Sequence, residues 1–86
     1  MTTKTERKLN EYLRAVAQKY QTSHVIRLLP NLKETWEENE SDSDVELAEK
    51  LTESILHWNL IRLAEGQIPE LEFFWYRAVK EIRGET

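Results

Sequence analysis

The stretch LNEYLRAVAQKY, residues 9–20, carries the clearest structural pattern in the chain. Its apolar side chains recur every three or four residues, a spacing that places them on one face of an α-helix. This face consists of Leu9, Tyr12, Leu13, Val16, Ala17 and Tyr20. Upstream, Thr3 and Glu6 have the spacing of a capping box, in which a hydroxyl and a carboxylate each accept a hydrogen bond from a free backbone N–H. The pattern predicts a first helix over residues 3–21.

Proline decides how the next segment, residues 23–38, is interpreted. Apolar residues continue at helical spacing up to Trp36, but Pro30 lies in the middle of them. Because proline lacks an N–H and its ring crowds the carbonyl four residues earlier, it kinks or splits a helix. Two predictions follow: one helix over 23–38 that is kinked at Pro30, or a short turn over 23–29 and a helix that begins with Pro30.

An acidic connection separates this half of the chain from the third helix. Residues 37–44, EENESDSD, contain no apolar side chain. Ser43 and Glu46 then form a second capping box. The third helix is therefore predicted over residues 44–65, with Gly66 as the left-handed residue that ends it.

A fourth helix is predicted over residues 69–83. Pro69 stands in its first turn, where the missing N–H costs nothing, and Gly84 ends it. The chain has only two Gly and two Pro residues, too few for the turns of an all-β domain. We predict that residues 1–86 form one all-α domain, a small antiparallel helical bundle of three long helices plus a short or Pro-kinked helix.

The composition excludes several classes of chemistry. No cysteine is present, which excludes disulfide frameworks, Cys-ligated zinc or iron–sulfur sites and thiol nucleophiles. Two isolated glycines cannot form a phosphate-binding loop, and no Gly-x-Ser-x-Gly motif occurs. No apolar run approaches the ~18–20 residues of a membrane helix. The charged N-terminus is not followed by the apolar stretch of a signal peptide. We expect a cytoplasmic protein that is not an enzyme, needs no cofactor and binds no membrane.

One set of side chains on the third helix is a candidate for metal binding. Glu49, Glu53 and His57 are four residues apart, so they form one line along the helix. A dimetal carboxylate bundle requires Glu-x-x-His on two helices, together with further inward glutamates. Here the spacing is Glu-x-x-x-His and it occurs once, so we expect no metal site.

Charge is unevenly distributed along the chain, whose net charge is −4. Residues 1–33 contain seven Lys/Arg and two Glu, a net charge of +5, whereas residues 34–72 contain twelve acids and two bases, a net charge of −10. A solvated charged surface is the simplest interpretation. The basic side chains of the first helix would also suit contacts with phosphates. The candidates are Lys4, Arg7, Lys8 and Arg14.

Four consecutive aromatic residues, 73–76 (FFWY), lie in the fourth helix. Because successive residues are 100° apart around a helix, the four rings cannot all face one core. Phe74 and Trp75 belong to the apolar stripe, whereas Phe73 and Tyr76 point nearly the opposite way. Either these two rings anchor a protein interface, or another segment of the chain covers them.

The predicted third helix indicates a second candidate surface. Its second half carries Leu56, Leu60 and Leu63 away from the main apolar stripe, so the helix is apolar on two sides. Such a helix is either central to the bundle or covered by a partner. Trp36 and Trp58 fit the main stripes, and we expect both to pack in the core.

These observations favour a non-enzymatic interaction module, a small helical adaptor or subunit that binds another protein or a second copy of itself. Phe73 and Tyr76 would form its first surface and the three leucines its second. One alternative is a helical subunit of a nucleoprotein complex, which contacts the phosphate backbone through the basic first helix. Another is an acidic inhibitor that occupies the basic groove of a nucleic-acid-binding protein.

Overall fold

The structure, a computed structural model, describes residues 1–85 and the side chains of residues 1–84. No strand occurs in that range, so the predicted all-helical class is confirmed. The antiparallel arrangement of three long helices stays a prediction. The helical elements are α1 (Thr3–Lys19), a 3₁₀ helix (Ser23–Leu28), α2 (Leu29–Glu38), α3 (Asp44–His57) and α4 (Gln67–Glu85).

The first helix begins where the sequence predicts, but with a different cap. Thr2 precedes α1 in an extended conformation, and its hydroxyl accepts a hydrogen bond from the Thr5 backbone N–H at 3.1 Å. The predicted capping box of Thr3 and Glu6 is therefore wrong, because Thr3 is already the first residue inside the helix. A one-residue shift of this kind is small in sequence, yet it changes which hydroxyl satisfies the free N–H groups.

Pro30 marks the start of a helix rather than a kink within one. The segment Ser23–Leu28 forms a 3₁₀ helix, and α2 follows it with proline in its first turn. There the missing N–H has no helical partner to lose. The single kinked helix over 23–38 is therefore wrong. The split interpretation is correct, with α2 starting one residue before Pro30.

The start of α3 follows the sequence prediction closely. The Ser43 hydroxyl accepts a hydrogen bond from the Glu46 backbone N–H at 3.2 Å and lies 3.0 Å from the Glu46 carboxylate. The hydroxyl half of the second capping box is therefore confirmed, whereas the Glu46 carboxylate accepts a hydrogen bond from the Ser43 hydroxyl. The other end of α3 differs, since the helix ends at His57 and not at residue 65.

Asn59 explains why the third helix is shorter than predicted. Its backbone has a φ of 53°, in the left-handed region, which Asn adopts at lower cost than most other residues. Beyond it, the carbonyl of Leu60 accepts a hydrogen bond from the Thr22 hydroxyl at 2.8 Å. Neither glycine has a positive φ, so Gly66 does not end α3, and α4 continues through Gly84.

One apolar cluster includes residues from all the helices, and it contains Trp36 but not Trp58. Trp36 is 5% exposed, which confirms its predicted place in the core. Trp58 is 51% exposed, so its predicted packing is wrong. It directly follows the last residue of α3, and the turn at Asn59 buries Ile61 instead.

An ion pair joins α3 and α4 at one end of the two helices. The Arg83 guanidinium, near the end of α4, contacts the carboxylate of Asp44 at the start of α3 at 2.5 Å. It also donates a hydrogen bond to the carbonyl of Glu40 at 2.9 Å. These contacts join the end of α4 to the start of α3 and to the loop before it, and the candidate site lies along the seam between the two helices.

Candidate functional site

The aromatic run of α4 is divided between the core and the surface. Trp75 is fully buried, and Phe74 is half-buried with its ring edge-to-face against Tyr12, the ring centroids 5.8 Å apart. Phe73 keeps 60% of its surface exposed, which makes it the most exposed large apolar residue of the described chain. The rotation of 100° per residue accounts for this division. The outward direction predicted for Phe73 is confirmed, while its role in binding stays a prediction.

Phe73 and Tyr76 form a pair on the outer side of α4, in which Phe73 is exposed and Tyr76 is half-buried and also packs against the core. Their rings are stacked with centroids 6.3 Å apart and an angle of 29° between the planes. The Lys80 ammonium lies 5.4 Å from the Tyr76 ring centroid, within the range of a cation–π contact. Each of these residues is one helical turn from the next, so the regular geometry of α4 is sufficient to bring them together.

A groove beside this pair extends the apolar surface onto α3. It has a volume of about 280 Å³ and is lined by Val45, Ala48, Phe73 and Tyr76. Val45 is 53% exposed, whereas Ala48 is buried and forms the floor. We call these four residues the apolar patch. Sequence reasoning identified its two aromatic members and missed the two α3 members, because only packing brings residues so distant in sequence together.

Two carboxylates complete the lining of this groove, one from each helix. Glu49 of α3 is exposed and Glu72 of α4 is half-buried. Neither forms an ion pair with another side chain of residues 1–84. The groove therefore combines an apolar floor with two negative charges that the described chain does not neutralise.

A second groove, between α1 and α4, differs because four of its polar groups are joined in two pairs across the groove. It has a volume of about 330 Å³ and also includes Phe73 in its lining. The Lys19 ammonium contacts the Glu70 carboxylate, and this hydrogen bond raises the pKa of Lys19. The Tyr12 hydroxyl donates to the carboxylate of Glu81. These pairs join α1 to α4, so the four groups already have partners within the protein.

The three leucines predicted as a second surface lie on different kinds of backbone. Leu56 belongs to α3, whereas Leu60 and Leu63 follow it in the segment that leads to α4. All three are half-buried and pack against the core. Because α3 ends at His57, they do not form one helical face. Their role as a partner surface stays a prediction.

The basic side chains of α1 lie on its outer side, as expected of a solvated face. Lys4, Arg7 and Arg14 are exposed, and Lys8 is half-buried. The Lys8 ammonium is 3.7 Å from the Glu11 carboxylate, so part of this charge is compensated within the helix. Contact with phosphates through this face stays a prediction.

Part of the acidic connection is already engaged in the fold. The Asp42 carboxylate contacts the Lys50 ammonium at 2.5 Å, and this hydrogen bond raises the pKa of Lys50. Asp44 is paired with Arg83. Glu37, Glu38 and Glu40 remain exposed in the same region. The proposal of an acidic inhibitor stays a prediction, with fewer free carboxylates than the sequence implied.

In residues 1–84, no three His, Asp or Glu side chains lie close enough together to hold a metal ion. None of the described helices combines the length and the hydropathy needed to span a membrane.

Trp58 is a surface feature that sequence reasoning missed. Its ring packs edge-to-face against His57, with centroids 5.2 Å apart, and it lines a polar groove between α2 and α3. The available signal was Asn59, since Asn is the residue after Gly that most often takes the left-handed position past a helix end. Most other polar groups of this groove come from surface side chains of α2 and α3.

Comparisons with known proteins add no relative. No protein-family model matches the chain, and searches against curated proteins and solved structures returned no significant match. The geometry of the apolar patch and its surroundings is therefore the basis for a functional proposal.

Proposed function

We propose that this chain is a non-enzymatic interaction module, an adaptor or subunit that binds another protein through the apolar patch. The observation that carries the proposal is the exposure of Phe73, at 60%, on a helix whose other apolar side chains are largely buried. Exposed apolar groups that form a contiguous patch are typical of protein-binding surfaces. Val45, Phe73 and Tyr76 supply such a patch from two helices.

The chemistry of the patch supports binding to a protein rather than to a small molecule. Its groove, at about 280 Å³, is near the lower limit of ligand pockets and is open along one side. A space of this size accommodates one or two side chains of a partner. Aromatic residues are also enriched among the residues that contribute most to protein–protein binding, and Phe73 with Tyr76 would provide such an anchor.

Affinity capture tests the proposal directly. The tagged chain is used as bait in a lysate of its source organism, with and without nuclease, beside the double variant Phe73→Ala with Tyr76→Ala. We expect defined proteins to be retained by the original chain after nuclease treatment and to be lost with the double variant. The binding is then confirmed with the purified partner.

A matched control separates loss of the patch from loss of an exposed aromatic ring in general. Trp58→Ala removes a ring of similar exposure, 51%, outside the patch and should leave capture unchanged. Circular dichroism should be nearly the same for all three proteins, and the double variant should melt only moderately lower, because Tyr76 is half-buried against the core. Equal capture by the double variant, or a large loss of its stability, would contradict the proposal.

A second candidate function rests on the outer face of α1. Lys4, Arg7 and Arg14 are all exposed there, which suits contact with a phosphate backbone within a nucleoprotein complex. This function predicts nucleic-acid binding that weakens steeply with salt, because each neutralised phosphate releases counterions. Charge reversal at these three positions should abolish it. Binding that is absent, or insensitive to salt, would exclude this candidate.

A further inference from the structure

We infer that the segment received by the apolar patch is a basic one, in which an apolar side chain is flanked by Lys or Arg. This inference rests on the proposed function and adds the chemistry of the partner. The apolar side chain would fill the groove between α3 and α4. Its basic neighbours would lie against Glu49 on one side and Glu72 on the other.

The charge around the groove favours such a partner. Glu49 and Glu72 border the apolar floor and have no ion pair within residues 1–84. Residues 34–72, which include α3, carry a net charge of −10, and within that range Asp44 and Glu70 are paired with Arg83 and Lys19. Complementary charge steers a basic segment towards this face, and like charge disfavours an acidic one.

The aromatic pair adds a second reason for cationic neighbours. Lysine and arginine are attracted to the face of an aromatic ring when they lie within about 6 Å of its centroid. Lys80 already occupies such a position over Tyr76. The ring of Phe73 is 60% exposed, which leaves it accessible to a cation of the partner.

The contrast with the groove between α1 and α4 identifies the side on which the partner docks. In that groove, Lys19 is paired with Glu70, and the Tyr12 hydroxyl donates to Glu81. A partner there would have to compete with contacts that join two helices of the fold. The groove between α3 and α4 requires no such competition.

A second copy of this chain fits the face less well than a different protein. A two-fold symmetric contact through the apolar patch brings Glu49 and Glu72 of both copies to one interface, which adds like charges. A head-to-tail contact leaves one free face at each end, so it either closes into a ring or extends into a filament. The test therefore includes self-association, because a dimer formed through this face would make a second copy the occupant of the groove.

Selection from a peptide library tests the inference without knowledge of the natural partner. Random 16-residue peptides displayed on phage are enriched on the immobilised original chain and, in parallel, on Phe73→Ala. We expect peptides that depend on Phe73 to share an apolar or aromatic residue with Lys or Arg within four positions on either side. Loss of Phe73 should weaken a selected peptide by about 30-fold or more, as for a central anchor residue.

Charge variants of the chain then test the role of the two carboxylates. Glu49→Gln with Glu72→Gln should weaken the selected peptides by about 2- to 30-fold, the range expected for two exposed ion pairs. Glu34→Gln with Glu37→Gln removes the same charge from α2, away from the patch, and should have a much smaller effect. Glu49→Lys with Glu72→Lys should shift the selection towards Asp and Glu.

The outcomes distinguish the inference from the function on which it rests. Peptides that require Phe73 but show no basic bias would overturn the basic partner and leave the interaction module standing. Enriched peptides that bind equally well to Phe73→Ala, or no enrichment at all, would overturn both. Sedimentation that shows a dimer of the original chain, dissociated by Phe73→Ala, would assign the face to a second copy and overturn the inference.

Discussion

The inner and outer faces of α4 carry the same kinds of side chain in very different surroundings. On the inner face, Trp75 is fully buried and Phe74 packs against Tyr12. On the outer face, Phe73 and Tyr76 stack on each other, and Phe73 keeps 60% of its surface exposed. An aromatic ring stabilises a fold mainly through the area that it removes from water. We therefore expect the inner pair to determine stability and Phe73 to contribute little to it, with the half-buried Tyr76 between these extremes.

The largest expected effect comes from the inner face. Trp75→Ala should lower the free energy of unfolding by about 3–5 kcal/mol, because it deletes a fully buried ring and leaves a cavity. Urea denaturation measures the loss. Trp58→Ala, which removes an exposed ring, should cost less than about 1 kcal/mol.

Trp75→Phe keeps the comparison testable if the alanine variant does not fold. The Trp75 indole N–H is buried and has no hydrogen-bond partner among the described residues. The phenylalanine variant therefore loses volume but also removes an unsatisfied donor, so its cost should be smaller than that of the alanine variant. Equal costs for Trp58→Ala and Trp75→Ala would contradict the link between burial and stability on which the comparison of the two faces rests.

A smaller effect is expected from Phe74, which is only half-buried. Phe74→Ala should lower the free energy of unfolding by about 1–2 kcal/mol, the part of a full burial that its position retains. Part of this cost comes from the edge-to-face contact with Tyr12. A double-mutant cycle with Tyr12→Leu should therefore give a coupling energy of about 0.5–1.5 kcal/mol.

A control is needed because Tyr12 makes two contacts. Tyr12→Phe keeps the ring and removes the hydroxyl that donates to Glu81. In a cycle with Phe74→Ala, this variant should show almost no coupling. Strong coupling with Tyr12→Phe would mean that the hydroxyl, and not the ring, connects α1 to Phe74.

Features set within one or two helical turns could be predicted from the sequence. The start of α3 depends on Ser43 and Glu46, which are three residues apart. The outward direction of Phe73 depends only on the rotation of α4 and on which neighbours are apolar. Local spacing is sufficient for such features, because the groups that decide them are close in the chain.

Features set by distant contacts could not be predicted. The segment after α3 is held by the Thr22 hydroxyl, which reaches the carbonyl of Leu60 across 38 positions of sequence. The apolar patch likewise joins Val45 to Phe73, which lie on different helices. Periodicity alone extends a helix until a strong breaker, and Asn59 is a weaker signal than the glycine to which the helix end was assigned.

At the end of α3, too, an exposed and a buried side chain lie close together in sequence, and here a left-handed turn separates them. Trp58 is 51% exposed and Ile61 is 7% exposed, and the turn between them passes through Asn59 at a φ of 53°. Asn59→Ala should lower the free energy of unfolding by about 1 kcal/mol, because alanine tolerates the left-handed region poorly. Asn59→Gly should change it by less than about 0.5 kcal/mol. Thermal or urea denaturation of both variants checks this order, and the opposite order would contradict the left-handed turn.

The smallest expected effect on the free energy of unfolding is that of Phe73 on the outer face of α4, the residue on which the proposed function depends. Phe73→Ala should change the free energy of unfolding by less than about 0.5 kcal/mol, since the residue is largely exposed and its stacking on Tyr76 is a pair interaction on a helix surface. A loss comparable to that of Phe74→Ala would mean that Phe73 is covered in solution. If that loss grew with protein concentration, a second copy would be the cover; if it did not, another part of the chain would be. A negligible loss leaves Phe73 free to contribute its apolar surface to binding, which is what the proposed function requires.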